Sequence, residues 1–378
     1  MSILGFTWYY VVVFLLVLTV LVFVHEWGHF WVARKNRVRV DVFSIGFGPE
    51  LFGWNDRHGT RWKISAIPLG GYVKMFGEGD ERDDDENAPE LTDAEKAVSF
   101  HFKTIGQRAA IVAAGPAVNF IFAIFAFAVL AGFIGIANPL AGTGKVMPGS
   151  AAEAGGFKAG DEIIRINDEK IKYFDELRRI VAANPEQKLT FLIRRNGTEQ
   201  TLFATPRSTV RAQPDGSEKK IGLLGIEYNP DMIELERQGP LSSLWIGLQR
   251  TYYTSMGILN YVGDMISGNR GTEELGGPLR IAQISGEMAQ LGIDRVILLM
   301  AMLSVNLGLI NLFPVPMLDG GHLAFYAIEA VLGRPLGAKA QEYGFRFGLI
   351  LVMMLVVFVT WNDLVHLEVF QFFKGLIT

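Results

Sequence analysis

At 378 residues, 50% of them hydrophobic, with a mean hydropathy of +0.26, the chain is too apolar for an ordinary soluble enzyme. It is also too polar to lie wholly in a membrane, which leaves a membrane protein carrying a soluble module. A formal net charge of -4, without a strongly basic segment, excludes a nucleic-acid binder, because nothing would neutralise the phosphates.

The apolar run from Trp8 to Val24 leads directly into His25-Glu26-Trp27-Gly28-His29. It has no basic leading segment and no A-x-A cleavage site, so it is expected to remain as a span, Thr7 to Phe30, about 36 Å long. On a helix, positions i and i+4 share a face, so His25 and His29 can offer two imidazole nitrogens to one metal ion. Glu26 falls beside them, placed to take a proton from a water that the metal activates. Because the chain has no cysteine, any metal must rest on His, Asp or Glu. The competing reading is that the helix stops at Val24 and these are plain interfacial residues. Charged groups at membrane depth cost roughly 2.5 to 3.5 kcal/mol each on insertion scales, which favours a functional cluster. Arg34, Lys35, Arg37 and Arg39 follow and mark the cytoplasmic side, leaving the N-terminus outside.

From Val38 to Phe76, short extended pieces alternate with Gly46-Phe47-Gly48-Pro49 and Pro68-Leu69-Gly70-Gly71, a pattern of β-hairpins. The Trp62 to Ile67 alternation implies one covered face and an edge open to pairing. The run from Glu78 to Glu95, centred on Asp83-Asp84-Asp85-Glu86, reads as a solvated acidic loop. A second span is expected from Ile105 to Ile136, interrupted at Ala114-Gly115-Pro116-Ala117-Val118-Asn119. That stretch suits close packing of small residues against another helix, or an Asn119 amide facing the metal site, and both readings stand.

Between Pro139 and Pro230 lies the soluble module. Its G149-S-A-A, G155-G-F and G160-D-E-I-I-R-I-N segments, a helix from Phe174 to Ala182 and a strand from Leu189 to Arg194 resemble a PDZ domain. The final Ile221-Gly222-Leu223-Leu224-Gly225-Ile226 is similar to the PDZ peptide-binding loop and strand, moved to the C-terminal end as in bacterial permuted forms. The resemblance implies a groove between Ile221 to Tyr228 and the helix, with Gly222, Leu223, Leu224, Gly225 and Ile226 along it. Leu241 to Ile266, with Trp245, Tyr252, Tyr253 and Tyr261, reads as an interfacial helix. A third span, Asp294 to Phe313, ends in N311-L-F-P-V-P-M-L-D319-G-G-H322, where two prolines and a glycine pair must break the helix. Asp319 on such a break is well placed to reach a metal, and so is His322. Arg334, Lys339 and Arg346 put this end on the same side as His25 and His29, and a fourth span runs from Gly344 to Trp361.

The expected fold is a polytopic α-helical membrane protein of about four transmembrane helices. It carries a membrane-associated β-hairpin element on the cytoplasmic side and an extracytoplasmic PDZ domain of α+β type. The divisions are 1–33, 34–104, 105–136, 137–230, 231–292, 293–322, 323–343 and 344–378.

H25-E-W-G-H29, G115-P-A-V-N119, the PDZ module and N311-L-F-P-V-P-M-L-D319-G-G together resemble the bacterial site-2 protease family of the regulator of sigma-E protease type. The resemblance spans nearly the whole chain. It implies one Zn²⁺ per chain held by His25, His29 and Asp319, and Glu26 as the catalytic base. Asn311 is implied at the substrate backbone, and Asn119 is counted with it as a candidate substrate contact. The hairpin region is implied to dip into the membrane and touch substrate, with Ile64, Gly70, Gly71 and Tyr72 as candidate contacts. Implied partners are the lipid bilayer, single-span proteins such as a pre-trimmed anti-sigma factor or remnant signal peptides, and a peptide C-terminus at the PDZ domain. Nucleic acid is not among them. The implied location is the bacterial inner membrane, with the N-terminus and PDZ domain outside and the active site toward the cytoplasm. The best-known enterobacterial form has tandem PDZ domains, whereas one is discernible here, so how substrates are screened stays open. Two other classes fit less of the pattern: a non-catalytic PDZ scaffold with a structural zinc, and a metal transporter.

Overall fold

The computed structural model describes residues 3–78, 91–212, 218–271 and 276–366, so the centre of the acidic run, Asp83 to Glu86, lies outside the described residues. It divides into two compact units, Met1–Leu130 with Pro240–Thr378, and Ala131–Gly239. The first opens with α1 (Ile3–Lys35), two long strands β1 (Val40–Asn55) and β2 (Arg61–Met75), a short α2 (Asp93–Val98) and α3 (Ile105–Val129). Among the described residues, four helical stretches are long and apolar enough to cross a membrane: Trp8–Lys35, Ile105–Ile134, Ile293–Leu312 and Lys339–Val365.

α3 begins at a Thr104 capping box, in which Gln107 and Thr104 exchange backbone and side-chain hydrogen bonds. The break expected at Gly115-Pro116 is absent: Pro116 lies inside a continuous helix. The lost N–H is tolerated because neighbouring helices enclose this segment. In lipid, close backbone contact replaces the hydrophobic drive that joins helices in water, and small residues permit it. A Cβ at Gly28 would stand 2.5 Å from the Ala114 carbonyl oxygen of α3, and one at Gly247 would stand 2.3 Å from that of Ile124.

The strands form a folded-back sheet. Phe43 lies opposite both Val73 and Trp62, and Trp62 opposite both Phe43 and Trp54. The stretches expected as separate strands are thus continuous, bent where Gly46, Gly48 and Gly70 take φ of +89°, +85° and +122°. Phe43 packs on Phe30 of α1, and Arg34 pairs with Asp56 at 2.9 Å, which anchors the sheet to the end of the first span. Phe47, Leu51, Phe52, Trp54, Ile67 and Leu69 remain exposed at the far end.

The second unit contains β3 (Ile136–Pro139), β4 (Thr143–Val146), α4 (Ala151–Ala154), β5 (Glu162–Ile166), β6 (Glu169–Lys170) and α5 (Phe174–Ala183). These are followed by β7 (Leu189–Arg195), β8 (Thr198–Ala204), β9 (Arg207–Ala212), β10 (Glu218–Leu223), β11 (Ile226–Tyr228) and β12 (Ile233–Glu236). A four-stranded sheet in the order β6-β5-β7-β8 buries Leu189, Phe191 and Ile193, every second residue of β7, against Leu177 and Val181, one turn apart on α5. Asp161, fully buried, accepts two hydrogen bonds from Arg195 at 2.6 and 2.7 Å. The strand expected from Ile221 to Tyr228 is instead two, because Gly225 turns with φ +84°: β10 pairs with β9, and β11 pairs with β4.

The first unit resumes with α6 (Pro240–Ile266), α7 (Pro278–Leu291), α8 (Ile293–Leu312), α9 (Asp319–Leu332) and α10 (Ala338–His366). α6, expected to lie in the interface, packs on α3 through a Ser243-Gly247-Thr251 stripe and also touches α8. α8 buries Ala301, Ser304, Val305 and Gly308, one helical face. Asp363 of α10, buried to 1% exposure, accepts from the N–H groups of Gly277, Leu279 and Arg280 and so caps α7.

Candidate metal centre and active site

Helix α1 carries His25 and His29 on one face, and both side chains are buried against α3. Their Nε2 atoms approach to 3.2 Å. Asp319, the first residue of α9, brings Oδ2 to 3.2 Å from His25 Nε2 and Oδ1 to 3.6 Å from His29 Nε2. Ligand atoms about 2.0 to 2.2 Å from a tetrahedral centre lie about 3.3 to 3.6 Å from one another, so this spacing fits one small divalent ion. Asp319 Oδ2 is buried without a hydrogen-bond partner, a cost that a cation would relieve. Two imidazoles and a carboxylate are a zinc-type donor set, and three protein ligands leave a fourth position for reactant.

What sets these atoms is α3. Ile111, Gly115 and Asn119 recur every fourth residue on one stripe facing the imidazoles. The Ile111 carbonyl lies 2.9 Å from His29 Nδ1. A carbonyl only accepts, so His29 donates from Nδ1 and keeps its Nε2 lone pair for a metal. Gly115 lets the helix backbone come against both rings: a Cβ there would lie 2.3 Å from His29 Nε2 and 2.8 Å from His25 Cε1. Gly115→Ala is therefore expected to push the rings out of register and to weaken metal binding by at least about 10- to 100-fold, the usual consequence of a displaced outer partner. Metal retained by the full-length variant against a graded chelator checks this, and retention equal to wild type would show that the rings can yield.

Asp319 is positioned by a tight return of the chain. After α8 ends at Leu312, the turn brings Gly320 so close that a Cβ would meet the Leu312 and Phe313 carbonyl oxygens at 2.3 Å, and one at Gly321 would meet Val315 O at 2.4 Å. The other end of α9 is tied down by Glu329, 2% exposed, which accepts from Arg108 of α3 at 2.9 Å and from the Leu336 N–H at 3.1 Å.

Among the predicted residues, His25, His29 and Asp319 come together. His322 does not join that cluster; its ring packs against Tyr326 and Phe345, with centroids 6.4 and 5.2 Å away. Glu26 is half-buried beside the imidazoles and faces the backbone of Val73 in β2, while a Cβ at Gly71 would lie 3.5 Å from its Cγ. Gly70 bends β2 against Phe47, whose ring stacks on Tyr72 at 5.9 Å, and Ile64 is exposed between Ile45 and Phe52 in register. Asn311, half-buried, donates to the Leu307 carbonyl of its own helix at 3.0 Å. Asn119, for which the sequence left open helix packing, an approach to the metal site and a substrate contact, is fully buried with its amide 3.0 Å from His25 Nδ1.

In the second unit the five expected groove residues divide. Gly222 sits against the Val181 carbonyl at the end of α5, Leu223 is exposed, Leu224 enters the core, and Gly225 and Ile226 turn back to β4. Val73, Ile111, Arg108 and Glu329 were not expected from the sequence. The four-residue recurrence in α3 was the available signal for Ile111, whereas a backbone group in β2 carries none.

The family model described as Peptidase family M50 matches residues 13–355. A protein of Agrobacterium fabrum bearing a zinc-metalloprotease name is 46% identical, over 95% of this chain and 97% of its own length. Metalloprotease MmpA of Caulobacter vibrioides is 37% identical over 96% of this chain and 97% of its own. Regulator of sigma-E protease RseP of Escherichia coli is 32% identical, covering 93% and 97%.

Proposed function

Since the chain belongs to peptidase family M50, we propose that it is a zinc-dependent intramembrane endopeptidase cutting the membrane segments of single-span proteins already trimmed outside the membrane. One observation carries this reading: two imidazoles from a membrane helix and a carboxylate 290 positions later meet at tetrahedral spacing, beside a carboxylate that is not part of that triad.

Zinc bound there supplies Lewis acidity toward water and toward the scissile carbonyl. The Glu26 carboxylate takes the proton of the attacking water and passes it to the departing amide nitrogen. A helical substrate hides its peptide bonds in its own hydrogen bonds, so it must be unwound before it is cut. Gly71 to Met75 carries, on the side away from β1, an edge that no strand takes among the described residues, and it runs past Glu26. That edge suits an extended substrate held by strand addition, with the exposed aromatic end of the sheet set in lipid.

The chain is read as an inner-membrane protein whose first and third spans end toward the cytoplasm and whose PDZ-like unit lies outside. That unit serves as a receptor for exposed C-termini or as a sieve against untrimmed proteins. The name of the Escherichia coli relative favours an anti-sigma factor as substrate; remnant signal peptides have the same chemistry. Comparing membrane proteomes of cells carrying the wild-type chain or Glu26→Gln tests the substrate class. Single-span fragments lacking their external domains are expected to accumulate uncut with the variant, and identical proteomes would count against it.

A further inference from the structure

We propose that Asn119 is a positioning residue for His25: its side-chain oxygen accepts the Nδ1 proton and thereby holds Nε2 free for the metal. This rests on the reading that His25, His29 and Asp319 hold zinc.

As placed, the Asn119 nitrogen Nδ2 lies 3.0 Å from His25 Nδ1, while Oδ1 is buried without any hydrogen-bond partner. In that orientation Nδ1 accepts, and a neutral ring must then carry its proton on Nε2. Yet Nε2 is the atom turned toward His29 Nε2 and Asp319 Oδ2, each 3.2 Å away, where a metal ligand needs a lone pair. The amide oxygen and nitrogen are nearly the same size, and a half-turn about the last side-chain bond exchanges them without moving the backbone. The half-turn gives Oδ1 the donor it lacks and moves the ring proton to Nδ1. His25 then matches His29, which already donates from Nδ1 to Ile111, two turns earlier on the same face of α3. The backbone of Asn119 is itself fixed, since its carbonyl accepts from Ser304 of α8 at 2.9 Å. The residue therefore serves the ring and not the substrate.

The test measures zinc affinity of the purified full-length protein by chelator competition, alongside the unfolding temperature of the metal-free form. Asn119→Asp offers only acceptors and is expected to bind zinc at least as tightly as wild type. Asn119→Leu, of similar size without an acceptor, is expected to bind about 10- to 100-fold more weakly with its metal-free stability unchanged. If Leu binds as wild type does, or if a folded Asp variant loses zinc as Leu does, the assignment is overturned. Should the Asp variant not fold, the Leu variant alone decides. A role in helix packing alone would lower the unfolding temperature and leave zinc affinity untouched, which also overturns it. A wild-type chain that takes up no zinc brings down the metal reading itself, and this assignment with it.

Discussion

Glu26→Gln is expected to keep the metal and lose the reaction, slowing peptide hydrolysis by about a hundredfold to ten-thousandfold, the range that a positioned acid–base group contributes. The substitution preserves size and the neighbouring contacts with Gly71 and Val73 but cannot accept a proton. Glu26 is not one of the three converging groups, so zinc content should equal that of wild type. Purified variant and wild type incubated with a single-span substrate in micelles, with products identified by mass and zinc by elemental analysis, separate the two quantities. Cleavage at the wild-type rate would remove Glu26 from the mechanism. Loss of zinc together with cleavage would instead make it a ligand.

Asp319→Ala should have the largest effect on the metal itself. Removing the carboxylate leaves two imidazoles whose Nε2 atoms are 3.2 Å apart and strips the ion of its only anionic partner within the cluster. Loss of an outer partner typically costs 10- to 100-fold in affinity, so loss of a direct ligand is expected to exceed about 100-fold. His322→Ala is the control. Its ring packs against Tyr326 and Phe345 and stands outside the converging group, so zinc should stay near the wild-type level. Zinc that survives in Asp319→Ala but disappears in His322→Ala would transfer the third ligand to the histidine and contradict the arrangement of α9.

Four apolar helices, the i, i+4 histidine pair and a helix break before Asp319 were legible in the sequence because each is a local pattern. Hydropathy over twenty residues, helical periodicity and a Pro-Gly-rich stretch need no knowledge of the rest of the chain. The behaviour of Pro116 was not legible, since a proline breaks a helix in isolation but is carried where neighbours enclose it. Nor was the division of the Ile221 to Tyr228 strand, which depends on Gly225 taking a left-handed turn against Ser150. The packing of α6 was hidden for a related reason: its Ser243-Gly247-Thr251 stripe has meaning only beside the backbone of α3.

By itself, then, the sequence marked His25, Glu26 and His29 through one five-residue motif, and left Asp319 and His322 as rival third ligands that only the family resemblance separated. Only the tertiary structure brought Asp319, and not His322, against the two imidazoles and set Asn119 beside His25. Those outcomes depend on ångström-scale approach between helices far apart in the chain.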